Sequence, residues 1–188
     1  MRGIRLVAAC LLGLWVGSVN AGAARAVSGG MNGWLSLVLP EGSWDEGVGV
    51  GLSYQLPSRW GPFAPALWAQ WWSSEAEAAH GDRHVSVWSF GVLGRYALRV
   101  DGRFQPYLGL GPSLELARTQ STGLVKYPKS DIAVIRDITH RDIDLGLQFL
   151  AGFEAPLSRN ARGMVESALA LGAIDALQLR VGLVYALR

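Results

Sequence analysis

From Phe104 to Ala117 the chain reads FQPYLGLGPSLELA, and its residues sort by parity. The even positions are Phe104, Pro106, Leu108, Leu110, Pro112, Leu114 and Leu116; the odd ones are Gln105, Tyr107, Gly109, Gly111, Ser113, Glu115 and Ala117. Successive side chains of a β-strand point to opposite faces, so this period predicts a strand with one oily face and one small, polar face. A helix of 3.6 residues per turn would scatter both sets around its circumference. The pattern recurs at 45–56, 87–98, 142–157, 164–172 and 177–187. Two further segments read as strands: 34–39, which is short, and 63–72, which is apolar on both faces apart from Gln70. That makes eight strands, with no helix predicted beyond the N-terminal region.

The small, polar face is mostly Gly, Ala, Ser and Gln, with about one ionisable group per strand. A soluble, lipocalin-like barrel needs a well-solvated exterior, and 17% charged residues is sparse against the roughly 25% of ordinary soluble domains. The polar inventory instead suits the crowded interior of a narrow barrel, where about eight strands leave room only for side chains. The oily face carries uncharged bands of the ~9–11 residues a tilted strand needs to cross a bilayer. An open sheet edge in lipid would cost several kcal/mol per unpaired backbone group, so the sheet must close. The connections agree. They are short after strands 2, 4 and 6 (57–61, 99–103, 158–163), and they tend to be longer after strands 1, 3 and 5 (40–46, 73–83, 118–140), with a tight exception around 173–175. Tight turns at one end and longer loops at the other mark an up-and-down antiparallel transmembrane β-barrel.

The N-terminus reads as a secretory signal peptide. Arg2 and Arg5 form a charged start, Ile4 to Val16 an apolar core, and Val19-Asn20-Ala21 a small-residue cleavage site, with Ala26 as the later cut. The expected organisation is therefore a signal peptide over 1–21 and one barrel domain over 22–188. The single cysteine, Cys10, falls inside the signal core, so neither disulfide nor thiol chemistry is expected of the processed chain. Loss of Arg2 and Arg5 takes the formal charge from +2 to about zero, which removes any argument for nucleic acid as a partner.

With the strands placed, PYLGLG (106–111), LGLQFLAGFEAPLS (145–158) and RVGLVYAL (180–187) carry a resemblance to the small eight-stranded outer-membrane barrels of Gram-negative bacteria, the OmpA/OmpX-like group. The last segment looks like the C-terminal signal read by the outer-membrane assembly machinery. Arg180, Gly182, Tyr185 and Leu187 stand at its four positions, although members of the group usually finish on an aromatic residue and this chain ends Leu187-Arg188. The resemblance implies the cell outer membrane of a Gram-negative bacterium, with its lipids and lipopolysaccharide as surroundings.

Parity predicts which side chains carry which task. Arg95 and Arg180 share the lumen with Glu115, Asp142, Asp144, Glu154 and Glu166. Buried charges must be paired or hydrated, so these residues read first as a salt-bridge plug. A narrow water-filled path is the alternative, and five acids against two arginines would make it prefer cations. Tyr54, Phe63, Tyr96, Phe104, Phe153 and Tyr185 face outward near the short-turn ends as an interfacial girdle, and Trp71 and Trp88 begin the opposite one. Trp68 and Trp72 face inward, where their rings are expected to pack over the glycines of strand 2. His84 and Ser86 lie on the outward face. Lipid A deacylases with such a His-x-Ser pair supply a distant enzyme alternative, with Glu75 or Glu77 as the acid, but the residues that follow the serine there differ from Val87-Trp88. The connection 118–140 alternates within DIAVIRDITH. Strands 5 and 6 are therefore read as continuing beyond the membrane as a hairpin that offers an edge to a surface partner, with Lys126, Lys129, Arg136 and Arg141 available for lipopolysaccharide phosphates. No nucleotide fingerprint, P-loop or metal-ligand spacing is present, and no cofactor is expected. The sequence thus predicts a non-enzymatic structural or surface-interaction protein.

Overall fold

The computed structural model describes residues 29–57, 62–78, 81–98, 100, 103–126 and 133–187. The predicted signal peptide and both candidate cleavage sites lie outside the described residues. Eight strands follow in chain order: β1 (Gly30–Pro40), β2 (Gly47–Gln55), β3 (Phe63–Ala78), β4 (Gly81–Ala97), β5 (Gln105–Lys126), β6 (Ala133–Pro156), β7 (Ala161–Leu171) and β8 (Ala176–Ala186). Each pairs antiparallel with its sequence neighbours. β8 returns to β1 in register from Gly30↔Ala186 to Pro40↔Ala176, which closes the barrel. Closure leaves no free edge over the span that all eight strands share.

The two faces fall as the parity predicts. Leu108, Leu110 and Leu147 on the outer wall are 36%, 51% and 47% exposed, whereas Glu115 is 2% exposed inside. The largest fully buried side chains include Arg180, Gln70, Gln148 and Gln178, so the interior is built from groups that a soluble protein keeps on its surface. A soluble barrel would reverse this assignment. At roughly 25 cal/mol per Å2, an apolar exterior of this kind stabilises the protein only in a lipid-like solvent.

Strand lengths depart from the sequence reading at the end opposite the short turns. The segment 73–83, expected as a loop, is largely strand: β3 runs on to Ala78 and β4 begins at Gly81. Within the connection 118–140, by contrast, β5 and β6 continue as the hairpin that the alternation predicted, paired from Arg118↔Arg141 to Lys126↔Ala133. β7 and β8 stop short there. β6 meets β7 only from Leu147↔Leu171 onward, and β4 meets β5 only up to Arg83↔Ser121. Among the described residues, the β5–β6 hairpin therefore stands above the rim held by its own ladder and by the hydrogen bond that Thr122 Oγ1 donates to Asp137 Oδ1 at 2.9 Å. The β1–β2 connection folds over the mouth at this end. Glu41 N–H donates to Asp175 O at 2.7 Å, Asp45 N–H to Glu75 O at 2.9 Å, and Ser74 Oγ to Asp45 O at 2.6 Å. Gly42 makes the bend with φ 103°, a left-handed value that suits a residue without Cβ.

Candidate functional site in the lumen and on the upper hairpin

Inward positions from facing strands stack into alternating polar and apolar layers. At the short-turn end a vestibule of about 530 Å3 is lined by Gln55, Arg95, Gln105, Tyr107, Glu154 and Arg162, among others. Arg95 forms its floor. Its Nη2 donates to Glu154 Oε1 at 2.9 Å and its Nη1 to Gln55 Oε1 at 3.3 Å, and the guanidinium lies 3.8 Å from the centre of the Tyr107 ring. Arg162 Nη1 donates to Gln105 Oε1 at 2.7 Å and to Glu154 Oε2 at 3.3 Å, so both oxygens of Glu154 are held by arginine. A carboxylate with charge-assisted bonds at both oxygens meets the condition under which attraction offsets the desolvation penalty of burial.

Higher in the lumen, Trp34, Trp68, Leu93, Leu150 and Met164 pack into an apolar layer. Two glycines make room for the indoles. A Cβ on Gly51 would overlap the Trp34 ring, and one on Gly91 would come within 2.6 Å of Trp68 Nε1. The rings therefore cover one glycine on β2 and one on β4. This corrects the expectation that Trp68 and Trp72 both lie over the β2 glycine row: Trp72 meets that row at Gly49 through its Cβ, and Trp34 supplies the ring. Among the described residues, the void in this layer is about 20 Å3, room for a single water molecule.

Arg180 dominates the next layer and is 2% exposed. It donates from Nη1 to Glu166 Oε1 at 2.7 Å, from Nη2 to Gln70 Oε1 and Gln178 Oε1 at 2.7 Å each, and from Nε to Gln178 Oε1 at 3.0 Å. Tyr107 Oη donates to the other Glu166 oxygen at 2.9 Å, and Gln70 Nε2 donates to Gln178 Oε1 at 2.9 Å. One network thus ties β3, β5, β7 and β8 across the interior. Above it Val38, Trp72, Val85, Val87, Ala117 and Ala176 close a second apolar layer, against which Trp44, Ala173 and Ile174 pack from the connections.

Of the seven charges predicted for the lumen, Arg95, Glu154, Glu166 and Arg180 form these networks. Glu115 is buried apart from them. Its Oε2 accepts the Ala173 N–H at 3.0 Å, so it holds the β7–β8 turn, and among the described residues it pairs with no arginine. Asp142 and Asp144 have lumen parity but are exposed, because β7 ends below them and the wall they would face is missing. Asp142 Oδ1 lies 2.9 Å from His140 Nε2, and Asp144 Oδ1 accepts the Leu145 N–H at 2.8 Å. Of the predicted five acids and two arginines, Glu115, Glu154, Glu166, Arg95 and Arg180 are enclosed, and Arg162 joins them at the vestibule. Arg162 was missed because it lies in a segment read as a turn.

The outward residues keep their predicted side. Tyr54, Phe63, Tyr96, Phe104, Tyr185 and Trp88 are exposed; Phe153 and Trp71 are half-buried on the same wall. Phe63 pairs directly with Tyr96, and Phe104 meets Phe153 edge-to-face at 5.7 Å. In the closing strand, Arg180 points inward and Tyr185 and Leu187 outward. Gly182 lies against the Gly33 carbonyl and Trp34. His84 and Ser86 share an outer-wall patch. Glu75, expected in a loop, lies directly opposite His84 in the β3–β4 ladder. The Glu75 Oε1 to His84 Nδ1 distance is 3.8 Å, too long for the hydrogen bond that would orient a catalytic base.

No protein-family model and no curated protein matches this sequence. The fold itself is widely matched among solved structures. Neisserial surface protein A aligns with a TM-score of 0.58 at 16% identity, covering 87% of this chain and 99% of that one. The outer-membrane protein OprG of Pseudomonas aeruginosa aligns at 0.58 and 12%, covering 88% and 98%. Ail, the attachment invasion locus protein of Yersinia pestis, aligns at 0.50 and 13%, covering 85% and 97%. The architecture is that of the small eight-stranded outer-membrane β-barrels, and at these identities the likeness is one of fold.

Proposed function

We propose that this chain is an integral outer-membrane barrel, exported by a cleaved signal peptide, whose lumen is a side-chain plug and whose work is done at the cell surface by the β5–β6 hairpin. The observation that carries the plug is the Arg180 network lying between two apolar layers, with a void of only about 20 Å3 beside it. A hydrated ion does not fit through such a packing without moving a tryptophan. The C-terminal pattern Arg180, Gly182, Tyr185 and Leu187 is read as the assembly signal, and the two aromatic bands as contacts with lipid headgroups. Lipids and lipopolysaccharide surround the wall.

Two measurements test this reading. The folded protein should migrate differently before and after heating in detergent gels, as closed barrels resistant to detergent do. Planar bilayers containing it should show no stepwise current. Regular conductance steps would replace the plug with a pore, and release of acyl chains from lipopolysaccharide would restore the enzyme alternative.

A further inference from the structure

The upper part of β6, residues 133 to 146, pairs with β5 on one side and, among the described residues, with no strand on the other. Natural sheets protect such an edge with prolines, bulges or inward charges, since a bare row of backbone donors and acceptors is a template for another strand. Among the described residues this edge has neither a proline nor a bulge, and its protection is left to charged side chains such as Asp137, Arg141, Asp142 and Asp144. It carries Ile143 and Leu145, which are 74% and 79% exposed, among charges of both signs in the order Ile135-Arg136-Asp137-Ile138-Thr139-His140-Arg141-Asp142-Ile143. That order is nearly self-complementary about Thr139. A second copy of the same strand, laid antiparallel with a two-fold axis at Thr139, places Asp137 opposite Arg141 and, by symmetry, Arg141 opposite Asp137. Moving the axis to residue 138 or 140 separates Asp137 from Arg141.

One feature of the single chain points the same way. Within the hairpin Arg141 lies directly opposite Arg118, a like-charge cross-strand pair that weakens the ladder. An acid arriving on the free side of Arg141 offsets that repulsion, and in this register it is the second copy's Asp137.

The strand's direction fixes where the second copy comes from. β6 continues a membrane-crossing strand, and such strands tilt by roughly 35–45° from the barrel axis. A two-fold axis along the membrane normal leaves the upward component of both strands unchanged, so two copies in one membrane cannot run antiparallel along this edge. Copies rising from two facing membranes can. We propose that the free edge of β6 is a homotypic adhesive surface, which joins antiparallel to the same edge of a second copy in an opposed membrane. This rests on the surface reading above and names the partner of that hairpin.

The experiment uses the processed chain reconstituted in phosphatidylcholine vesicles, with clustering followed by light scattering and barrel closure by heat-dependent gel migration. Wild-type vesicles are expected to cluster. Vesicles carrying only Asp137→Arg, or only Arg141→Asp, are expected to stay dispersed. Mixing those two populations should restore clustering, because each ladder again sets an arginine against an aspartate at both positions. Wild-type vesicles that stay apart while the heat shift is present overturn the inference alone. So does a mixture that stays dispersed, or a dimer formed within one membrane without clustering. A missing heat shift overturns the barrel reading and the inference with it.

Discussion

Arg180 shows why a single side chain in this lumen has large consequences. Its guanidinium satisfies Glu166, Gln70 and Gln178 at once and lies 5.0 Å from the centre of the Trp34 ring. Replacing it with methionine keeps much of the volume but leaves Glu166 buried with only the Tyr107 hydroxyl, and breaking a buried pair in this way costs about 3–5 kcal/mol. We expect Arg180→Met to lose stability of that order in urea unfolding of the lipid-reconstituted barrel. Adding Glu166→Gln should recover a substantial part, since the carboxylate is then no longer charged. Gly51 tests packing in place of charge. A side chain there would overlap the Trp34 indole, so Gly51→Val should cost about 1–3 kcal/mol by overpacking, read by the same titration.

On β4 the outward-facing Trp88 and Tyr96 bracket a stretch that contains Phe90 and Val92, and Val92, midway, is 49% exposed. If this wall faces lipid, Val92→Arg falls near the bilayer midplane and should cost about 2–4 kcal/mol in phospholipid vesicles, as arginine does on the lipid face of such barrels. A soluble exterior would tolerate the same change within about 0.5 kcal/mol, as ordinary surface sites do. β5 and β6 make the opposite prediction above the rim. From Gln120↔Thr139 upward to Lys126↔Ala133 they contribute little to closure. Replacing residues 120–139 with a two-residue turn should leave the heat-dependent gel shift intact while abolishing vesicle clustering.

For the whole molecule, the inside-out core supports the proposed plug. Layers of Arg–Glu–Gln hydrogen bonds alternate with layers of tryptophan and aliphatic groups, so water entering from the vestibule meets the apolar shelf around Trp34 and Trp68, and the other end is covered by Trp44 and Ile174. The barrels of Neisserial surface protein A and OprG share the eight-stranded frame.

The sequence by itself determined the strands, their facing and the inversion of oil and polarity, because alternation is a local property and a one-residue slip would exchange the two faces of a strand. Leu108 and Glu115 could be assigned their sides from that rule alone. Their heights could not. Asp142, Asp144 and Glu166 all carry inward parity, yet only Glu166 is enclosed, since enclosure depends on how far the neighbouring strand rises. Nor does parity say that Gln70 and Arg180, separated by 110 positions, share a hydrogen bond, or that Trp44 in a connection packs over the mouth. Those meetings follow from closure and strand stagger, which fix where residues on different strands stand around and along the barrel. The tertiary structure decided the network, the lid and the free edge of β6, because each depends on which strands are present at a given height.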